Sequence, residues 1–299
     1  MRSKRLRELT FSLCTNGVML LLALSCVLPF VLLIVASLTD NGTVVANGYS
    51  FFPEKISFDA YIYLAAQKST ILRALGNSIL VTGVGTLCSL IITPMLAYPL
   101  SRKELPHRGV LTFLVVLVLL FNGGLVPTYM VYTQILHIKN TLLGQLLPNL
   151  LMNGFYVMMM KTFFTTSIPD GLIESACIDG AGEFRIFRSI IVPLSTPIFA
   201  TVGLFVGVAY WNDWFNGMIY ITDGTLYTLQ NILNQIMRSI QFLQNNASMT
   251  TNADQILAQL PSTTIRMALA TVAVVPILLL YPFFQRYFVK GITLGAMKG

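Results

Sequence analysis

The sequence predicts an all-α membrane protein that crosses the bilayer several times. Hydrophobic residues make up 55% of its 299 residues and charged residues only 10%, whereas a soluble domain carries about 25% charged residues. The apolar residues fall in long uninterrupted runs, not in the alternating pattern of barrel strands. Because a single segment can satisfy its backbone hydrogen bonds in lipid only as a helix, these runs predict transmembrane helices.

Six stretches approach the roughly 20 uncharged residues that are needed to cross about 30 Å of hydrocarbon. We predict spans at residues 15–38, 75–100, 110–131, 142–160, 190–211 and 267–284. The sequence sets the ends of the third and fourth spans least sharply, because the apolar character fades through residues 122–140 instead of stopping. One membrane domain, residues 1–299, accounts for the whole chain.

The distribution of basic residues predicts the orientation. With the N-terminus in the cytoplasm, 13 of the 19 Lys and Arg residues fall in cytoplasmic segments. The excess of basic residues on the inner side therefore places both termini in the cytoplasm. It also accounts for the net charge of +7, so the charge gives no reason to expect a nucleic-acid partner. In the outer loop at 212–266, apolar residues at helical spacing predict a surface helix: Leu229, Ile232, Leu233, Ile236 and Ile240.

The sequence lacks the usual signatures of catalysis and of ion coupling. It contains no G-x-x-x-x-G-K-[ST] phosphate loop and no G-x-S-x-G nucleophile motif. Its two histidines, His107 and His137, are predicted on opposite sides of the membrane, which argues against a zinc hydrolase. The spans hold almost no charged residue, although ion-coupled carriers usually place such groups there. The chain is therefore not predicted to be an enzyme, and it has no evident energy source of its own.

The cytoplasmic loop at 167–193 predicts a helix–turn–helix. Ser167 and Asp170 match a capping box, followed by a helix at residues 169–179. Gly180 stands where a left-handed turn needs a residue without a Cβ. A second helix then begins near Gly182, with Phe184, Phe187 and Ile191 at helical spacing, and Pro193 interrupts or kinks it at the membrane boundary. A plain amphipathic loop on the membrane surface is the alternative.

The loop also carries a specific spacing. Glu174-Ser175-Ala176 is followed after three residues by Gly180, and after nine more by Ile190-x-Val192-Pro193. This pattern resembles the Glu-Ala-Ala motif of ABC importer permease subunits, with Ser175 in place of Ala and Val192 in place of Leu. The last nine residues, GITLGAMKG, resemble the tail of maltose-type permeases. FNGGLVPTY at 121–129 and WNDWF at 211–215 resemble the carbohydrate branch that imports polysaccharide fragments.

The resemblance implies a type I ABC importer permease fold and a set of partners. These are a second homologous permease subunit, two cytoplasmic ATPase subunits that bind ATP and Mg²⁺, an extracytoplasmic solute-binding protein and an oligosaccharide. No cofactor is expected in this chain, which would be a multi-pass protein of the bacterial cell membrane. The ATPase would contact the cytoplasmic loop through Glu174, Ser175, Ala176, Asp179, Gly180, Arg185 and Pro193. It would also contact the tail at 290–299 through Leu294, Gly295, Lys298 and Gly299.

Polar and aromatic residues near membrane depth are candidates for the substrate pathway. They are Asn77, Tyr210, Trp211, Asn212 and Asp213. Aromatic faces suit sugar C–H surfaces, and Asn or Asp suits hydroxyl groups, but interfacial anchoring explains the tryptophan equally well. Gly203 and Gly207 form a G-x-x-x-G pair that favours close helix packing. An importer for another solute, or a carrier that works alone, are the alternative functions.

Overall fold

The computed structural model describes residues 2–121, 123–148, 151–245 and 263–296, and within these ranges the chain is helical, as predicted. An isolated antiparallel bridge between Thr39 and Ile56 is the β pairing there. The helices are α1 (Arg2–Ser37), α2 (Asn41–Asn47), α3 (Asp59–Ala66), α4 (Lys68–Ser101), α5 (Arg108–Leu120), α6 (Leu125–Ile135), α7 (Leu143–Leu146), α8 (Gly154–Ser167), α9 (Asp170–Ile178), α10 (Glu183–Leu194), α11 (Thr196–Trp211), α12 (Phe215–Tyr220), α13 (Leu229–Asn245) and α14 (Thr263–Ala296).

The chain divides into two compact units. One comprises residues 1–69 and 235–275, and the other comprises residues 70–234 and 276–299. In the first unit, the Lys55 ammonium lies 3.2 Å from the Asp40 carboxylate, and the Ser37 and Tyr61 hydroxyls lie 2.8 Å apart. The second unit contains the main hydrophobic core. The prediction of a single domain at 1–299 is not decided by this division and stays a prediction.

Among the described residues, two helices are long and apolar enough to cross a membrane, judged by length and composition. They are α4 and, within α1, the stretch Phe11–Ser37, and they coincide with the first two predicted spans. The pair α5–α6 and the pair α10–α11 would each add a span if each pair crossed as one unit. The described part of α14 contains a shorter apolar stretch, Thr263–Leu279. The total of six spans and the cytoplasmic termini stay predictions.

Three of the predicted spans are not single straight helices over their predicted bounds. The third was drawn as one helix over 110–131, but α5 ends at Leu120 and α6 begins at Leu125, after Gly124 with a φ of 86°. The fourth was drawn over 142–160, but α8 begins only at Gly154, where the Asn153 side chain accepts a hydrogen bond from the Phe155 amide. The fifth, drawn over 190–211, is bent by 79° between α10 and α11.

The helix α4 carries a face of mostly small buried residues that allows close packing. They recur every three or four positions: Ala74, Ser78, Val81, Gly85, Ser89, Thr93 and Ala97. A Cβ atom at Gly203 of α11 would lie 3.2 Å from Leu90, and one at Gly207 would lie 3.4 Å from Thr86. The absence of side chains at these glycines therefore lets α11 approach α4, as the G-x-x-x-G spacing predicted.

The helix predicted from the apolar spacing at 229–240 is present as α13, and its location on the outer side stays a prediction. It begins with a reciprocal cap, because the Thr228 hydroxyl accepts a hydrogen bond from the Asn231 amide and the Asn231 side chain accepts one from the Thr228 amide. Leu229 is buried, and Ile232, Leu233 and Ile236 are half-buried, which agrees with one apolar face. The side chain of Ile240 lies outside the described part.

Candidate coupling loop and transport pathway

The loop at 167–193 folds into the predicted helix–turn–helix, α9 followed by α10. Its two helices are anchored by Ile173 and Ile186, which are 5% and 1% exposed and belong to the same core as α4, α8 and α11. Ile191, near the end of α10, is also buried in that core. The loop is therefore packed onto the helical bundle and is not a loose amphipathic segment.

Gly180 closes α9 with the turn that its sequence position predicted. Its φ is 77°, in the left-handed region that residues with a Cβ seldom adopt. The Gly180 amide donates to the Cys177 carbonyl at 3.0 Å, and the Ala181 amide donates to the Ala176 carbonyl at 2.9 Å. These two bonds form a Schellman motif, which satisfies the last carbonyls of the helix.

The predicted capping box at the start of α9 was wrong. Ser167 is the last residue of α8, so it does not leave the helix to act as a cap, and Pro169 occupies the N-cap position without a side-chain hydrogen bond. The Asp170 carboxylate instead accepts a hydrogen bond from the Lys103 ammonium at 2.8 Å. This bond lowers the pKa of Asp170 and raises the pKa of Lys103, so the pair is charged at neutral pH. It joins α9 to the segment after α4.

The residues predicted to contact an ATPase lie largely on the surface. Glu174, Ser175, Asp179, Arg185 and Pro193 are exposed, and Ala176 is half-buried against the core. The Ser175 hydroxyl donates to the Leu172 carbonyl within α9. The charged groups of this loop are therefore accessible to another protein, while Ala176 and Gly180 shape the backbone beneath them.

Sequence reasoning missed two large apolar residues on this surface. Ile178 is 86% exposed and Phe184 is 71% exposed, one on each side of the turn. Phe184, Phe187 and Ile191 stand at helical spacing, but of these three only Phe187 and Ile191 are covered. The signal in the sequence was Ile178 itself, an apolar residue directly before Asp179. Exposed apolar residues beside charged ones are typical of a protein-binding surface.

The residues predicted for the C-terminal contact are only partly described. Leu294 and Gly295 lie in the last turns of α14, which ends at Ala296. Lys298 and Gly299 lie outside the described residues. Their contact with an ATPase therefore remains an expectation.

The structure gives two of the predicted pathway residues, Asn77 and Tyr210, clear packing roles. The Tyr210 hydroxyl donates to the Leu146 carbonyl at 2.7 Å, and the side chain is buried. The Asn77 amide group donates to the backbone carbonyls of Thr225 and Tyr227 at 2.9 and 3.0 Å. Asn77 and Tyr210 thus hold neighbouring segments in place.

The other three residues predicted for the substrate pathway lie at the end of α11 and just beyond it. Trp211 is buried, whereas Asn212 is exposed and accepts a hydrogen bond from the Gln230 side chain at 3.3 Å. The Asp213 carboxylate accepts hydrogen bonds from the amides of Phe215 and Asn216 at 3.1 Å each. Burial raises the pKa of Asp213, although these amides oppose the shift.

A cavity of about 780 Å³ lies along α4 and α11. Its wall includes Thr82, Thr86 and Leu90 of α4 and Gly203, Trp211 and Asn212 from α11 and its end. Gly203 and Gly207, which approach α4, both lie in the wall of this cavity. Two of the five predicted pathway residues, Trp211 and Asn212, are brought together in its wall.

Known proteins that this chain resembles are membrane components of transport systems. The family described as binding-protein-dependent transport system inner membrane component matches residues 62–294. The polygalacturonan/rhamnogalacturonan transport system permease protein of Bacillus subtilis (strain 168) is 38% identical over 97% of this chain and 98% of its own length. The arabinooligosaccharides transport system permease protein of Halalkalibacterium halodurans is 27% identical over 93% of each chain.

A solved structure agrees with these relatives in fold. It is the crystal structure of a bacterial ABC transporter involved in the import of the acidic polysaccharide alginate. One of its chains matches with a TM-score of 0.75 and 26% identity, over 96% of this chain and 98% of that one. The family match covers well over half of the sequence and includes the helix–turn–helix and the α4–α11 cavity. The chain therefore belongs to the family of binding-protein-dependent transport system inner membrane components.

Proposed function

We propose that the chain is the permease subunit of an ATP-driven ABC importer that moves oligosaccharides or polysaccharide fragments into the cell. The observation that carries the proposal is the helix–turn–helix at 170–194, which is anchored in the core and turns its charged side chains outward. An energy-coupling contact needs both properties, because a loose loop cannot transmit force and a buried one cannot meet a partner. The six spans and the cytoplasmic termini belong to this proposal.

The energy comes from partner subunits. Two ATPase subunits bind ATP and Mg²⁺ in the cytoplasm and contact α9 and α10, with Glu174 facing a basic group and Ile178 and Phe184 adding apolar contacts. A second permease subunit completes the pathway, and a solute-binding protein delivers the substrate from outside. The tail at 290–299 makes a further contact with the ATPase pair. This chain supplies the coupling surface and one wall of the pathway.

The substrate is a carbohydrate oligomer. The relatives are named for polygalacturonan or rhamnogalacturonan, for arabinooligosaccharides and for melibiose, raffinose and stachyose, and the solved structure is of an alginate importer. These names share a sugar chemistry and differ in charge and linkage. Trp211 and Asn212 lie in the wall of the α4–α11 cavity, where the exposed Asn212 amide suits the hydroxyl groups of a sugar.

Reversal of the charge at Glu174 tests the coupling contact. Glu174→Lys is expected to lower ATP-dependent sugar uptake about tenfold or more, because the loss of a hydrogen-bonded charge pair costs about 2 kcal/mol or more. The ATPase should also co-purify less well with this variant. Both quantities are measured in proteoliposomes that contain the two permeases, the ATPase and the binding protein.

Thr166→Lys is the matched control, since it adds a positive charge at an exposed position of α8 outside the loop. It should leave uptake and co-purification unchanged. Normal uptake and normal ATPase association in Glu174→Lys would refute the coupling assignment. Sugar uptake by this chain alone, without ATP, would refute the importer assignment as a whole.

A further inference from the structure

A polar cluster joins the end of α4 to the start of α10. The Tyr98 hydroxyl donates to the Glu183 carboxylate at 2.5 Å. The Arg102 guanidinium lies 3.8 Å from the other Glu183 oxygen and 3.4 Å from Glu104. Tyr98 is only 6% exposed, so its hydroxyl group has little access to water and depends on Glu183 for a partner.

The same tyrosine also makes an apolar contact with α10. Its ring lies 5.3 Å from the ring of Phe187, measured between centroids. Tyr98 therefore contacts α10 at two points one helical turn apart, Glu183 and Phe187. Two separate contacts fix the rotation of α10 about its own axis, whereas one contact would fix only its distance from α4.

The other side of this junction leads to the cavity. Leu90 of α4 lines the cavity and lies eight residues before Tyr98, which is about 12 Å along a helix. By contrast, α10 meets α11 through a bend of 79°. A displacement of α10 is therefore transmitted along α4 through the Tyr98 contacts more directly than along the chain into α11.

We propose that Tyr98, with Arg102, is a positioning residue that holds Glu183 and thereby makes the coupling loop and α4 move together. The proposal rests on the assignment of the loop as the ATPase contact. Binding of ATP by the partner displaces α9 and α10, and the Tyr98–Glu183 bond passes that displacement to the helix that forms the cavity wall. Loss of the bond lets the loop move while α4 stays behind, so that ATP is hydrolysed without transport.

The test compares sugar uptake per ATP hydrolysed in the reconstituted importer. Tyr98→Phe removes only the hydroxyl group and keeps the ring beside Phe187, and Glu183→Ala removes its partner. Each is expected to lower uptake per ATP about fivefold, the effect of a hydrogen bond of about 1 kcal/mol. In the double variant, uptake per ATP should be no lower than in the more impaired of the two single variants, because both changes remove the same bond. Glu183→Gln keeps an acceptor oxygen and should retain most of the coupling.

The control is Glu104→Ala, which also removes a carboxylate beside Arg102 but lies outside α10, with a side chain 70% exposed. It should leave uptake per ATP unchanged. A merely structural role for Tyr98 would reduce the amount of assembled importer and leave that ratio intact, and this result would overturn the proposal. The proposal would also be overturned if uptake per ATP were normal in Tyr98→Phe but lowered in Glu183→Ala. Failure of the wild-type chain to bind an ATPase would instead contradict the proposed function.

Discussion

Gly85→Ala is expected to lower the melting temperature of the purified importer by about 5 °C. A Cβ atom at this position would fall within 2.6 Å of three ring carbons of Tyr210, closer than real Cβ contacts allow. The ring is buried and its hydroxyl is fixed to the Leu146 carbonyl, so it has no free rotamer to adopt. Overpacking of this kind costs about 1–3 kcal/mol, and each kcal/mol shifts the melting temperature of a chain this size by about 2–4 °C.

Two further variants separate the clash from other effects. Gly76→Ala lies on the same helix with nothing within 4 Å of its new Cβ atom, and alanine favours helices, so its melting temperature should be unchanged or higher. Tyr210→Ala combined with Gly85→Ala should be less damaging than the sum of the two single changes, because removal of the ring makes room for the Cβ atom. A wild-type melting temperature in Gly85→Ala would contradict the close packing of α4 and α11.

Gly180→Val is expected to reduce ATP-dependent uptake about tenfold while the protein still inserts into the membrane. The φ of 77° at this position costs a residue with a Cβ about 1–2 kcal/mol, and a cost of 1.4 kcal/mol changes an equilibrium tenfold. Valine, branched at Cβ, opens the Schellman turn and changes the direction in which α10 leaves α9. Uptake in proteoliposomes and co-purification of the ATPase measure the loss.

Asparagine at position 180 should retain most of the activity, because it tolerates the left-handed conformation. Gly182→Ser is the matched control two residues away. Gly182 has a φ of −73° and sits at the N-cap of α10, where serine is favoured, and nothing lies within 4 Å of a Cβ atom there. Equal uptake in the valine, asparagine and serine variants would show that the turn has no part in coupling.

The helix–turn–helix at 170–194 could be predicted in detail because its signals are local. Gly180, Pro193 and the apolar spacing of α10 each act on the adjacent backbone, so sequence alone defined the turn and the two helices. The capping box was the exception. Whether Ser167 caps α9 depends on where the preceding helix, α8, ends, and the local pattern does not show this. Long apolar runs likewise placed α1 and α4, since length and hydropathy decide those helices without reference to the rest of the chain.

The irregular backbone before α8 could not be predicted because its hydrogen-bond partners are distant in sequence. The carbonyls of Leu146 and Pro148 accept hydrogen bonds from the side chains of Tyr210 and Asn216. Gln145 donates to the Leu226 carbonyl at 2.8 Å. Irregular backbone is tolerated where protein groups satisfy its hydrogen bonds, so the chain need not be helical there. An apolar run alone gives no sign of partners that lie 64 to 81 residues away.

The uninterrupted length of α4 has a mechanical consequence. Near its first turns, Asn77 binds the carbonyls of Thr225 and Tyr227, and the Ser78 hydroxyl accepts a hydrogen bond from the Leu229 amide at the start of α13. Near its last turn, Tyr98 binds Glu183. These attachments are 21 residues apart, about 32 Å, so a tilt of about 5° about one of them moves the other by about 3 Å. A tilt of α4 therefore couples the Thr225–Leu229 segment, bound near its first turns, to α10, bound near its last turn.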